Sequence, residues 1–245
     1  MISKVALIFA MEAEARPLID ELALEYDPSF GDPRLPFKHF RGQLDGRMEL
    51  MLSLSGKHDI HQVDNIGTEP ATLNAYVTLS RFQPDLCINA GTAGGFRSRG
   101  CEIGDVFLID KPCKFHDHRI PIPGFDAYGI GSYPVFAPSG MAEALGLKKG
   151  GVSTGNALDH TDVCLKLIEQ NEGNVKEMEA AAIAWIASMM KVPFMALKSV
   201  TDIVDGEHPT EEEFLRNLDA ASRRIREKTL EVLKYISSHP QLLRH

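Results

Sequence analysis

The 245-residue chain has little of what marks a secreted, membrane-spanning or nucleic-acid-binding protein. Its four cysteines, Cys87, Cys101, Cys113 and Cys164, stand far apart with no CxxC pair. That spacing disfavours a zinc site or a disulfide frame and fits reduced thiols in a cytoplasmic protein. Long apolar runs are missing too. The N-terminal run Val5–Ala10 spans six residues and is followed by Glu12 and Glu14, so it reads as a buried strand, neither membrane span nor signal peptide. Basic charge is in deficit, with 26 Lys and Arg against 34 Asp and Glu and a formal net charge of −8. A polyanion needs a basic surface, which argues against DNA or RNA as partner and leaves a small ligand open. No 20–50-residue repeat, low-complexity tract or composition shift divides the chain, and the expectation is a single domain over residues 1–245.

What is present is an alternation of short apolar runs and amphipathic stretches, the pattern of a layered α/β domain. A strand over about 3–10 leads into a helix from Met11–Ala15, with Pro17 in its opening turn and Glu12 and Glu14 at its positive end. A Pro-rich loop at 27–36 precedes a hairpin, Lys38–Leu44 and Arg47–Leu54, joined by Asp45-Gly46. A helix is predicted at 69–82, then a strand Leu86–Asn89 ending in the glycine-rich loop Ala90–Gly95. Strands follow at 104–110 and 147–153, separated by a Pro/Gly-rich excursion at 116–135. Helices at 160–170 and 178–190, a strand at 193–200 and a helix over 210–237 complete the chain. Thr210 and Glu213 have the spacing of a capping box for that last helix.

Ligands of open α/β sheets bind at the carboxyl ends of strands. Those ends carry Glu14, the glycine segment with Thr92, the stretch Ser153–Leu158, and Asp202; Glu179 opens the small-residue helix beside them. Each has a plain alternative. Gly91-Thr92-Ala93-Gly94-Gly95 reads as a tight turn or as a backbone cradle, and it is neither GxGxxG nor a P-loop. Glu14 and Glu179 suit helix N-termini, and Asp205-Gly206 is turn chemistry. His116-Asp117-His118 places two histidines on one side of an extended segment, but without further ligands nearby it reads as structure, and no metal is expected.

Taken together and in order, Ala10-Met11-Glu12-Ala13-Glu14, Asn89 to Phe96, Lys176-Glu177-Met178-Glu179-Ala180-Ala181-Ala182 and Val200 to Gly206 resemble the 5′-methylthioadenosine/S-adenosylhomocysteine nucleosidases, and look closest to their plant-type branch. The resemblance runs from about residue 3 to 235. It implies the nucleoside phosphorylase-like fold, a three-layer α/β/α sandwich with a central mixed sheet. It also implies a homodimer and cofactor-free, metal-free hydrolysis of the adenine–ribose bond of methylthioadenosine and, as a further possibility, adenosylhomocysteine, a step of methionine salvage. Carried over by motif, Glu14 activates water and Asp202 protonates the leaving adenine. Glu179 holds ribose hydroxyls and Thr92 lies beside the sugar. Lys176, Glu177 and Met178 add nucleoside contacts, partly by backbone, and Leu158 lies near the base.

The chemistry needs these residue types. N-glycosidic cleavage passes through an oxocarbenium-like state, with charge leaving through the base while water attacks the opposite face. An acid and a base on opposite sides satisfy that, as in inverting glycosidases. Adenine presents N7 as acceptor and N6–H₂ as donor, a pair that a protonated carboxylic acid meets with both oxygens. Thr201 is read as helping to position Asp202, and Lys198 as a supporting charge. Two rival readings remain at this level: a phosphate-dependent purine nucleoside phosphorylase and a non-catalytic nucleoside-binding module. Asn89 stands where the phosphorylases would place arginine around the glycine segment, and a binder has no use for Glu14. Asn156 departs from the aspartate usual in relatives, and the 116–135 excursion is expected to border the nucleoside's 5′ end, either within the chain or across the dimer interface.

Overall fold

A computed structural model describes residues 2–239, 241 and 242. Strand β1 (Lys4–Phe9) alternates its side chains between two separate apolar layers. Val5, Leu7 and Phe9 pack on one side and Ala6 and Ile8 on the other. This two-sided burial is why the run reads as continuously apolar. Helix α1 (Glu12–Glu21) follows directly, with Pro17 in its second turn, deeper than the sequence suggests. Strand β2 (Glu25–Tyr26) forms the sheet edge beyond the hairpin of β3 (Lys38–Leu44) and β4 (Met48–Leu54). Asp45 and Gly46 turn that hairpin with φ of 51° and 64°, the left-handed geometry that Asp-Gly supplies.

Helix α2 (Thr68–Phe82) leads to β5 (Leu86–Gly95), which departs from expectation: the glycine segment is the second half of a ten-residue strand, not a loop. Strands β6 (Val106–Ile109) and β7 (Lys114–Phe115) precede the excursion, which contains the short helix α3 (Asp126–Ile130). Then come α4 (Met141–Leu145), β8 (Lys148–Thr154), α5 (Asp162–Gln170), β9 (Gly173–Glu177), α6 (Ala180–Met189), β10 (Phe194–Ile203) and α7 (Thr210–Ser238). Strand β9 and helix α4 are too short for periodicity to reveal. Strand β10 runs three residues past the predicted end, so Asp202 lies within it.

Helices α1 and α7 cover one face of the mixed sheet and α2 and α6 the other, giving three layers. Ala180–Ala184 of α6 are essentially fully buried, and their small side chains let the helix lie close to the sheet. No helix among the described residues is long and apolar enough to cross a membrane.

The sheet positions the site through β5. One edge of β5 pairs with β10 along its length, while its other edge pairs first with β1, up to Asn89, and then with β9, from Gly94. Between Asn89 and Gly94 that second edge has no strand partner, and a gap opens in the sheet. Strands β10, β6, β8, β9 and β5 meanwhile close into a ring.

Candidate active site

The gap in the sheet leaves the Thr92 N–H without a strand partner, and Glu14 takes it. One carboxylate oxygen of Glu14 accepts from Thr92 N and Thr92 Oγ1, both at 2.7 Å, and the other accepts from Met11 N at 3.2 Å. Burial pushes this carboxyl above its ordinary value, and the Thr92 bonds and the distant Lys198 charge oppose that only in part. Across β5, Asp202 is also buried. Its Oδ1 accepts from Thr201 Oγ1 at 2.7 Å, while Oδ2 has no partner among the described residues. Burial again raises the carboxyl, Thr201 and Lys176 counter it, and Glu213 adds repulsion of the charged form.

The glycines of β5 have a steric task. A Cβ on Gly94 would stand 2.6 Å from Asp202 Oδ2, and one on Gly91 would stand 3.2 Å from Glu14 Oε1. Neither glycine has positive φ. They are small so that two carboxylates can lie against the strand, rather than to cradle an anion with backbone N–H groups.

Glu179 stands at the N-cap of α6 with φ of −134° and ψ of −35°, outside the helical geometry, and accepts from Gly67 N at 2.9 Å. Burial, reinforced by the nearby Glu177, lifts its carboxyl to about 7. Glu177 behaves oppositely. Burial alone would push it up, but the ammonium of Lys198 at 2.9 Å and a hydrogen bond from Thr154 Oγ1 at 2.5 Å carry it below the ordinary range. Its oxygens also accept from Glu179 N and Ala180 N at 3.0 and 2.8 Å, closing the N-terminus of α6. Lys198 is 1% exposed and is held charged by Glu177, Glu179 and Glu14 against the cost of burial. It is therefore the buried cation among three carboxylates, a supporting charge behind the cleft wall.

The cleft holds about 700 Å³ of atom-free space, its open mouth included. All eight expected residues reach its wall: Glu14, Thr92, Leu158, Lys176, Glu177, Met178, Glu179 and Asp202. Two of them have their polar atoms committed elsewhere. The Glu177 carboxylate serves Lys198 and α6, and Lys176 Nζ donates to the carbonyls of Ala157 and Leu158, both at 2.7 Å, fixing the loop that carries Leu158. Sequence reasoning gave no cleft role to Ile66, Val204 or Phe214, which also line it. Phe214, on the first turns of α7, has no local signal beyond being apolar.

Asn156 has a defined task in this arrangement. Its Oδ1 accepts from Thr68 N at 2.8 Å and its Nδ2 donates to Thr68 Oγ1 at 2.7 Å, pinning the start of α2 beside Gly67. Two expectations change. The chain bends at 116–117, so the histidines diverge: His116 is buried with Nδ1 3.2 Å from Ser153 Oγ, and His118 stacks on Phe115 at the surface. Within one chain the 116–135 excursion stands apart from this cleft. It lines a separate groove against α2 and α6 with Tyr128 and His118. The capping box is not formed either, because Pro209 occupies the cap and Glu213 turns to the backbone of β10.

Comparison with known proteins agrees with this geometry. Residues 4–234 match the family model of the phosphorylase superfamily. A 5′-methylthioadenosine/S-adenosylhomocysteine nucleosidase of Arabidopsis thaliana is 40% identical over 96% of this chain and 92% of its own. The structure of the Arabidopsis 5′-methylthioadenosine nucleosidase in apo form superposes with a TM-score of 0.93 at 39% identity, covering 96% of both chains. A 5′-methylthioadenosine/S-adenosylhomocysteine nucleosidase of Colwellia psychrerythraea in complex with adenine gives 0.75 at 26% identity, again covering 96% of both. With a matching fold, a matching family model and relatives of this identity over nearly the whole length, the chain belongs to the 5′-methylthioadenosine/S-adenosylhomocysteine nucleosidase family of the phosphorylase superfamily.

Proposed function

We propose that the protein hydrolyses the N-glycosidic bond of 5′-methylthioadenosine, and of S-adenosylhomocysteine, to adenine and the 5′-thio-substituted ribose. The observation that carries this reading is Asp202: a buried carboxyl in the cleft wall, biased toward its protonated form, with Oδ2 free of partners among the described residues. A protonated Oδ2 donates to adenine N7 while Oδ1 accepts from N6–H₂, so charge developing on the departing base is neutralised by proton transfer. Glu14 holds the attacking water on the far side of the sugar, Thr92 fixes the carboxylate, and Glu179 receives the ribose hydroxyls. Met178 and Leu158 flank the base. Glu177 acts through its contacts with Lys198 and α6.

Hydrolysis is favoured over phosphorolysis because no arginine among the described residues lines the cleft, and the first strand leads into Met11–Glu14 rather than into a phosphate loop. Release of the free base measured with and without inorganic phosphate, adenine from methylthioadenosine and adenosylhomocysteine and hypoxanthine from inosine, tests the reading. Release independent of phosphate and selective for the two adenine nucleosides is expected; strict phosphate dependence, or equal release from inosine, contradicts it.

The active species is a homodimer. Supporting this, Leu73 and Tyr76 of α2, Tyr128 and Trp185 present exposed apolar surface around the second groove. The free thiols of all four cysteines suit the cytoplasm. Tyr76→Glu is expected to halve the mass in sedimentation; an unchanged dimer would move the interface elsewhere.

A further inference from the structure

Glu213 and Asn217 sit on one face of α7, four residues apart, and both reach the backbone of β10. Glu213 Oε2 accepts from Ile203 N at 2.8 Å, and Asn217 Nδ2 donates to the carbonyl of Thr201 at 2.8 Å. The two bonds fall on the residues immediately before and after Asp202. They also fall where the strand is irregular. Pairing of β10 with β5 slips between Val200 and Asp202, leaving Thr201 as the extra residue of a bulge. Pairing of β10 with β6 ends at Ser199. A bulge re-aims a side chain at the cost of ladder bonds, and here the lost bonding is replaced by two side chains of one helix. Glu213 is 4% exposed, a buried carboxylate that the hydrolytic chemistry does not use directly. Its second oxygen meets Arg216 at 3.4 Å.

We propose that Glu213 and Asn217 are positioning residues for Asp202, clamping the bulge so that the Asp202 carboxyl faces the cleft beside Gly94. The inference rests on the reading of Asp202 as the acid. Glu213 has a second effect: its negative charge disfavours ionisation of Asp202, while Lys176, on β9, is the cation that favours it. The charged groups that act on Asp202 are thus Lys176 and Glu213, and on β5 it lies against Gly94, its register partner.

Three variants of the full chain, assayed for phosphate-free adenine release across pH 5–9, test the clamp. Glu213→Gln keeps an acceptor for Ile203 N but loses the charge. Its melting temperature should stay near wild type while the alkaline limb of the kcat profile moves down by about half a pH unit or more. Asn217→Ala keeps the charge but loosens the bulge, lowering kcat about tenfold with little change in KM and leaving the limb in place. Glu213→Leu removes both and should show both effects; if it fails to fold, the first two variants decide. An unmoved limb in Glu213→Gln, or wild-type kcat in folded Asn217→Ala, overturns the inference. Absence of adenine release by the wild-type protein would instead fail the reading of the site itself.

Discussion

Alanine at Gly94 is the substitution whose consequence can be worked most closely from the structure. The backbone there has ordinary strand φ, so alanine meets no conformational penalty. The added Cβ would lie 2.6 Å from Asp202 Oδ2 and 2.7 Å from Val204 Cγ2. Carbon and oxygen settle at about 3.3 Å or more, so the carboxyl must retreat by about 0.7 Å. A displacement of about 1 Å at a reacting group costs on the order of 10²-fold in rate. Gly94→Ala should therefore lower kcat for adenine release by roughly 30- to 100-fold, with a stability loss of about 1–3 kcal/mol from overpacking. Gly91→Ala is the internal control. Its Cβ meets Glu14 at 3.2–3.3 Å, which a slight shift relieves, so kcat should stay within about fivefold of wild type. Steady-state kinetics beside thermal melts separates rate from folding. A folded Gly94→Ala protein with wild-type kcat, or an equal loss in both variants, would refute the idea that these glycines make room for the carboxylates.

Other consequences follow from the buried charges. Lys198→Met leaves Glu177 as an unpaired buried anion and should cost about 3–5 kcal/mol in denaturant unfolding. Adding Glu177→Gln should recover most of that, and no recovery would mean the pair at 2.9 Å is not what stabilises the region. Glu179, raised to about 7 from an ordinary 4.5, favours the fold when protonated; that contribution is complete below pH 4.5 and lost as pH rises through 7. Glu179→Gln should accordingly melt higher than wild type at pH 8 and equally at pH 4.5, and a pH-independent difference would contradict the assignment. Asn156→Asp places a second carboxylate beside the Thr68 hydroxyl, which already donates to Glu69 at 3.0 Å. KM should rise several-fold with kcat nearly kept, whereas unchanged kinetics would show that the start of α2 needs no such pin.

How far these features were legible in the sequence depends on their range. The strands β1, β4 and β10 and the helices α2 and α7 announce themselves through burial patterns that a few neighbouring residues encode. The glycine segment misled because glycine signals a turn locally, whereas here its smallness answers to Glu14 and Asp202, residues 77 and 108 positions away from Gly91 and Gly94 respectively. Glu213 misled for the same reason: its spacing from Thr210 is that of a cap, yet its partner is the Ile203 N–H across the fold. The carboxylates Glu14, Glu179 and Asp202 are legible by motif order, and the raised pKa that an acid at Asp202 needs is expected from burial behind β10; the upward bias of Glu14 and Glu179 is not, because burial is a property of the packed layers. Lys198 is legible as a charge near the site, but one charge in a buried strand says nothing about which anions surround it.

The account turns on Asp202 as the proton donor to adenine, and one comparison tests that most directly. Asp202→Asn keeps the shape and the hydrogen-bonding reach of the side chain but cannot deliver a proton. Adenine release from methylthioadenosine should fall by about 10²–10⁴-fold, while calorimetric affinity for the nucleoside stays within about tenfold of that of the wild-type protein, a change of no more than one hydrogen bond. Near-normal turnover in that variant would contradict the central claim.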